Sequence, residues 1–258
     1  MAGTETRIVI QPRDLALLRE FAVTRVMDRM QAMNLGRFGS VTRVNARLLA
    51  LVRSGLLRRF FLGSGGGRKA LYSLSPKGAQ LVDAPIRGLR RRQNEMLVAD
   101  FSVLHQLAIN QIYCALKCGK SADGVFRRWT AFYEPVAQNL ALIPDGYVEL
   151  NSSRGIVASF LEVDLGHESL KVWKEKTQHY LELALSGEFE KRFSQPRFRV
   201  LVLANSSRRL QSIRAAVAGI TGKIFWFATL EAAERDFFSG IWLRPAGHTP
   251  QTFFEVTP

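Results

Sequence analysis

The sequence predicts a mixed α/β protein, α+β overall, built in two parts. Three observations carry this reading. Basic charge is concentrated at one end: residues 1–93 hold 18 Lys and Arg against 5 Asp and Glu, whereas residues 94–258 hold 18 against 17. Within that basic third, apolar residues recur three times at helical spacing and then fall into two short strand-like runs. Beyond it, strand-like runs alternate with amphipathic helical stretches, the order expected of helices packed on a sheet. A chain of 258 residues with 47% hydrophobic and 22% charged residues has the composition of buried cores and the length for two modest domains.

Pro12 suits the first turn of a helix, and Leu15, Leu17, Leu18 and Phe21 supply its apolar face. Thr24 is the expected N-cap of a second helix through Val26, Met30 and Met33, which Asn34 and Gly36 end. Ser40 caps a third helix, with Val44, Leu48, Leu49 and Val52 turned inward and Arg43, Arg47 and Arg53 exposed. Ser54-Gly55 closes it with glycine just past its end. A strand over 56–62, a glycine-rich tip and a returning strand over 68–74 follow. Three short helices and a β-hairpin, over residues 1–82, are the order of a winged helix, a helix-turn-helix variant. The run from Arg47 through Ser54-Gly55-Leu56-Leu57-Arg58 to Ser75-Pro76-Lys77-Gly78 resembles bacterial winged-helix repressors. Arg43 and Arg47 lie one turn apart on the third helix, and Arg68 and Lys69 at the tip are placed for a flanking phosphate or the minor groove. Duplex DNA is the expected partner; a protein-binding module is the alternative. Residues 83–94, with Pro85 and Arg87-Gly88-Leu89-Arg90-Arg91-Arg92, read as a basic linker or as a strap along the DNA backbone.

Other classes are disfavoured. No apolar run approaches the ~18–20 residues of a membrane helix, so the protein is expected in the cytoplasm with no membrane partner. Cys114 and Cys118, four apart on an apolar helical stretch, suit core packing in a reducing compartment better than a metal site.

In the second part, residues 95–258, a long helix is expected over 96–116, with His105 and Asn110 as hydrogen-bonded polar residues on it. Strands are expected over 143–150, 155–165, 198–204 and 224–229, and helices over 168–185 and 208–218. In the second of these strands, period-two alternation puts Glu162 and Asp164 on one face with Phe160. Such a strand should be central, and carboxylates on it are costly unless a cation compensates them. A divalent metal is one answer, since Mg²⁺ takes carboxylate oxygens, and a partly exposed strand with paired acids is the other. On the following helix Lys176 lies on a half-buried stripe with Ser169, Val172 and Leu183. Leu170, Trp173, Thr177, Leu181 and Ala184 form the apolar face beside it. The phenylalanines at 237, 238, 253 and 254 are expected to pack onto this domain.

Pro144-Asp145, then Glu162-Val163-Asp164, then Lys176 resemble the PD-(D/E)xK nuclease fold, with Asp164 where the lysine normally stands and Lys176 as its relocated equivalent. With the preceding winged helix, His105 and Asn110, and the string Phe160-Leu161-Glu162-Val163-Asp164, Glu168, Lys176 and Tyr180, the chain resembles the replication-relaxation family and the MobC-type relaxases of mobilisable plasmids. The resemblance implies a PD-(D/E)xK restriction-endonuclease-like domain and a relaxase that nicks one strand at a plasmid or integrative-element origin. It implies that Asp145, Glu162 and Asp164 hold Mg²⁺ or Mn²⁺, that Lys176 stabilises the transition state or orients water, and that Glu168 and Tyr180 are accessory. Tyr180 is a nucleophile on one reading and a packing, hydrogen-bonding residue on the other. Other relaxosome proteins or a coupling protein would be partners. The alternative is a non-catalytic replication or copy-number regulator, or a relaxosome accessory protein, with a degenerate nuclease core. No histidine-hydrophobe-histidine motif occurs among His105, His167, His179 and His248, which argues against the commoner relaxase chemistry.

Overall fold

The structure, a computed structural model, describes residues 9–62, 69–85, 96–119, 121 and 123–254. Arg68, residues 86–94 of the expected linker and Glu95 lie outside the described residues. The chain divides into two compact units, Met1–Cys114 and Ala115–Pro258.

The first unit opens with α1 (Pro12–Thr24), β1 (Met27–Asp28), α2 (Arg29–Leu35) and α3 (Val41–Arg53). Thr24 ends α1 rather than capping α2, because its hydroxyl donates back to the Glu20 carbonyl. Asp28 is the cap: its carboxylate accepts from the Gln31 N–H at 2.9 Å, and Gln31 answers in a capping box. Ser40 caps α3 as its position predicts, and Gly55 takes φ +73 just past the end of that helix. The hairpin β2 (Leu57–Leu62) and β3 (Lys69–Leu74) forms a three-stranded sheet in the order β1-β3-β2, and α4 (Pro76–Leu81) follows. Leu17, Leu18, Phe21, Val44, Leu48, Leu51 and Tyr72 make the core, with Leu51 taking the place expected for Leu49.

α5 (Met96–Cys118) spans the boundary at Cys114. Expected to open the second domain, its described side chains up to that boundary belong with the first unit. Val103 and Leu107 are buried against Val26, Leu71, Phe60 and Leu62. Asn110 is the polar tie the sequence suggested: its amide donates to the carbonyls of Thr24 (3.0 Å) and Val26 (2.6 Å). Cys114 is buried and Cys118 exposed, and no disulfide joins them.

The second unit is a five-stranded sheet in the order β4-β5-β6-β7-β8: β4 (Gly124–Thr130), β5 (Gly146–Ser152), β6 (Gly155–Asp164), β7 (Arg199–Ala204) and β8 (Phe225–Thr229). β4, β5 and β6 pair antiparallel, while β6, β7 and β8 run parallel. Between the parallel strands come α6 (Leu170–Leu185), α7 (Glu188–Phe193) and α8 (Ser207–Ala218), and α9 (Leu230–Arg235) follows β8. Phe160, Val200, Val202, Phe225 and Phe227 from the sheet pack with Trp173, Tyr180, Leu210 and Ile213 of α6 and α8. The buried stripe of α6 is thus Trp173, Thr177, Tyr180 and Leu183, rotated from the expected one, which leaves Leu170 and Ala184 exposed. The late aromatics do pack as expected: Phe237, Trp242 and Phe253 are buried against one another. Among the described residues no helix is long and apolar enough to cross a membrane.

Candidate functional site

β6 is the central strand, and its last residues are buried on both faces, as the alternation predicts. Glu162 is 1% exposed, and Asp164 is equally buried. Both point to the α6 side, with Phe160. Asp145, just ahead of β5, is fastened to β6 on either side of Glu162: its N–H donates to the Leu161 carbonyl at 3.1 Å, and its Oδ2 accepts from the Val163 N–H at 2.7 Å.

Lys176 reaches down from α6 onto this end of the sheet. Its Nζ donates to Glu162 Oε2 at 2.8 Å and to Glu168 Oε1 at 2.7 Å, and it sits 5.2 Å from the Trp173 ring centroid. Tyr180, one turn on, is buried and donates its hydroxyl to Glu162 Oε1 at 2.6 Å. Glu162 therefore has one oxygen on an ammonium and the other on a phenol. Burial raises the Glu162 carboxyl and the nearby Asp145 charge adds to this, against the pull of Lys176 and Tyr180. Burial works to lower Lys176, but Glu162, Asp145 and Glu168 outweigh it and hold the ammonium protonated. Burial and the Glu162 charge push the Tyr180 hydroxyl well above its ordinary value.

Asp164, expected to share a metal with Asp145 and Glu162, has its carboxylate turned elsewhere. Oδ1 accepts from Arg209 Nε (2.8 Å) and the Gly166 N–H (2.7 Å). Oδ2 accepts from Arg209 Nη2 (2.7 Å) and Trp173 Nε1 (2.8 Å). Burial acts to raise this carboxyl, but these donors win and hold it below the ordinary aspartate value. Gly166 makes its contact at φ +95, a conformation suited to glycine. Arg209, on α8, is the residue that sequence reading missed, and it also donates to the Glu168 carbonyl oxygen. Forty-five positions separate it from Asp164, and a lone arginine at a helix start carries no signal of such a partner. Among the described residues no group of three or more His, Cys, Asp or Glu side chains is arranged to hold a metal ion.

In the first unit the basic candidates diverge. Arg43 is exposed on α3, as expected. Arg47 is not: its side chain is 18% exposed, and its guanidinium forks onto the buried Asp14 and reaches the Val9 carbonyl. Burial works to raise Asp14, but the hydrogen bonds from Arg47 and the Gln11 N–H prevail and lower it. Lys69 Nζ lies 2.6 Å from Asp28 Oδ2 while its side chain remains 52% exposed.

No curated protein and no solved structure matches the chain. The model of the replication-relaxation family matches residues 15–195, a stretch that contains Asp145, Glu162, Asp164 and Lys176 and stops short of Arg209. With most of both units inside that match, the chain belongs to the replication-relaxation family.

Proposed function

We propose that the protein is a DNA nickase that acts at a plasmid or integrative-element origin, in mobilisation or replication. A winged helix in the first unit would bind duplex DNA, and a PD-(D/E)xK-like second unit would cut one strand with the help of Mg²⁺ or Mn²⁺. The observation that carries this is the gathering of Asp145 from just ahead of β5, Glu162 of β6 and Lys176 of α6 at one end of the sheet. Their charges suit a divalent cation. Three carboxylates (Asp145, Glu162 and Glu168) face one ammonium, a surplus of negative charge at a largely buried place.

The donor chemistry fits as well, since Mg²⁺ takes one or two carboxylates plus water and substrate phosphate. Asp145 and Glu162 would hold it. Asp164 is left out, because both of its oxygens are committed to Arg209, Trp173 and Gly166. A bound cation of this kind lowers the pKa of water and offsets charge on a phosphate. The remaining work falls to the chain. Lys176 would move from Glu162 toward the scissile phosphate, where an ammonium stabilises the extra negative charge. Tyr180 would hold Glu162 in place; its raised pKa and full burial suit it poorly to attack phosphorus itself.

The test is incubation of supercoiled plasmid carrying the cognate origin with Mg²⁺ or Mn²⁺. Open circles should form with the wild type and fall at least ~100-fold in rate with Glu162→Gln or Lys176→Ala. Equal nicking by wild type and Glu162→Gln would remove Glu162 from the chemistry. The second reading is a non-catalytic DNA-binding replication or copy-number regulator, or a relaxosome accessory protein. It is favoured by the occupation of both Glu162 oxygens by Lys176 and Tyr180. Specific DNA binding with no nicking in either metal would select it.

A further inference from the structure

A second charged feature lies in the same unit, at the opposite end of β6 and around the starts of β7 and β8. A cleft of about 610 Å³ is lined there by Arg154, Arg197, Arg199 and Arg244, with Trp226 and Phe254. It is roughly 20 Å from Glu162 along β6, taking ~3.3 Å per strand residue. Alternation places Arg199 and Trp226 on the sheet face opposite Val200 and Phe225, hence away from α6 and α8.

The arginines are crowded together. The guanidinium carbons of Arg199 and Arg244 lie 4.2 and 4.8 Å from the centroid of the same Trp226 ring. Arg199 is anchored on the Phe253 carbonyl, and Arg244 stands 3.5 Å from that of Gly222. Arg197 and Arg154 are exposed at the rim. Burial, then Arg244 and Arg197, push Arg199 down to about 10, and burial lowers Arg244 too. Among the described lining residues four are arginines and Asp123 is the acid. Like charges converging in a concave, partly desolvated place are relieved by an anion, and a guanidinium fork matches phosphate in particular.

We infer that this cleft is a second nucleic-acid site, which holds the phosphodiester backbone of a single DNA strand. Its volume is that of a small-ligand pocket, room for a nucleotide or two of an extended strand and too confined for a duplex. Arginines converge there beside the half-buried Phe254, whose ring is itself stacked on Phe238, and such a pairing of guanidinium charge with aromatic lining is what single-strand grooves use. The inference is independent of whether the Glu162 cluster is catalytic.

The experiment is fluorescence anisotropy of labelled dT12 and of a 12-bp duplex with the whole protein in EDTA, where no metal-assisted cleavage intervenes. The variant is Arg154→Ala with Arg197→Ala, two exposed positions, with thermal unfolding as the check on folding. The dT12 dissociation constant should rise about tenfold or more, and its log–log salt slope should shrink by about 1.4, at ~0.7 per single-strand phosphate. Duplex affinity should stay within about twofold, because the first unit would supply it. The paired Arg→Lys variant should keep the salt slope. Three results would each overturn the inference: unchanged dT12 binding in the alanine variant, equal losses on dT12 and duplex, or displacement of dT12 by equimolar ATP, which would mark a mononucleotide pocket.

Discussion

Arg47 shows how one side chain can carry the right charge for one role and the geometry of another. Its helical position predicts a DNA contact, yet its guanidinium is spent on Asp14, a fully buried acid at the start of α1. Removing one partner of a buried pair strands the other charge, so Arg47→Ala should destabilise the first unit by about 3–5 kcal/mol. Arg43→Ala, at an exposed position, should cost no more than about 0.5 kcal/mol while weakening duplex binding. Urea titrations of the two variants separate these outcomes; an unchanged midpoint in Arg47→Ala would return Arg47 to the DNA surface. The pair also has a pH signature. Asp14 and Asp164 are both held below the ordinary aspartate value, so the unfolded chain binds protons more readily than the folded one. Their stabilisation is fully present above the unfolded pKa of about 3.9 and is lost as pH falls through the lower folded values. Replacing Asp14 with Asn should flatten part of the acid-unfolding curve below about pH 4 and lower stability at neutral pH.

At the scale of elements, α5 ties itself to the first unit by apolar contacts and by the amide of Asn110. A fragment ending at residue 114 should therefore unfold cooperatively, whereas one ending at residue 85 would uncover Val26 and Leu71 and melt at lower temperature or aggregate. Asn110→Ala, which leaves two buried carbonyls short of a donor, should cost about 1–3 kcal/mol in the longer fragment. Sequence periodicity reads helices such as α3 and strands such as β6 because one face of each is continuously apolar. It does not see β1, two residues long, nor β4, where a register shift between Phe126 and Arg128 breaks the alternation and Arg127 and Arg128 give it a polar look. The same limit applies to the site. Glu162 and Lys176 were legible because burial makes a charge conspicuous on a strand or helix stripe. The Asp164–Arg209 fork was not, since no local pattern links a strand end to a helix start across an intervening helix pair.

For the whole molecule, the charge asymmetry acquires a sharper boundary once α5 is assigned. Residues 1–114 hold 18 basic and 7 acidic residues, a net +11, and residues 115–258 hold 18 and 15, a net +3. If duplex affinity is largely counterion release, it should follow that division rather than total charge. The fragment 1–114 should retain most of the salt slope of the whole chain on duplex DNA, and Arg43→Ala should reduce that slope by about 0.9, one phosphate contact. The remaining charge of the second unit is nearly balanced in number but uneven in space. Carboxylates gather at the Glu162 end of β6, and arginines at the Gly155 end. The fragment 115–258 should then bind duplex DNA weakly, with a shallow salt slope, and its binding of dT12 should respond to Arg154→Ala and Arg197→Ala but not to Glu162→Gln in the absence of metal. A steep duplex slope in that fragment would instead put the main phosphate contacts outside the first unit, and the basic N-terminal third would owe its charge to something other than duplex DNA.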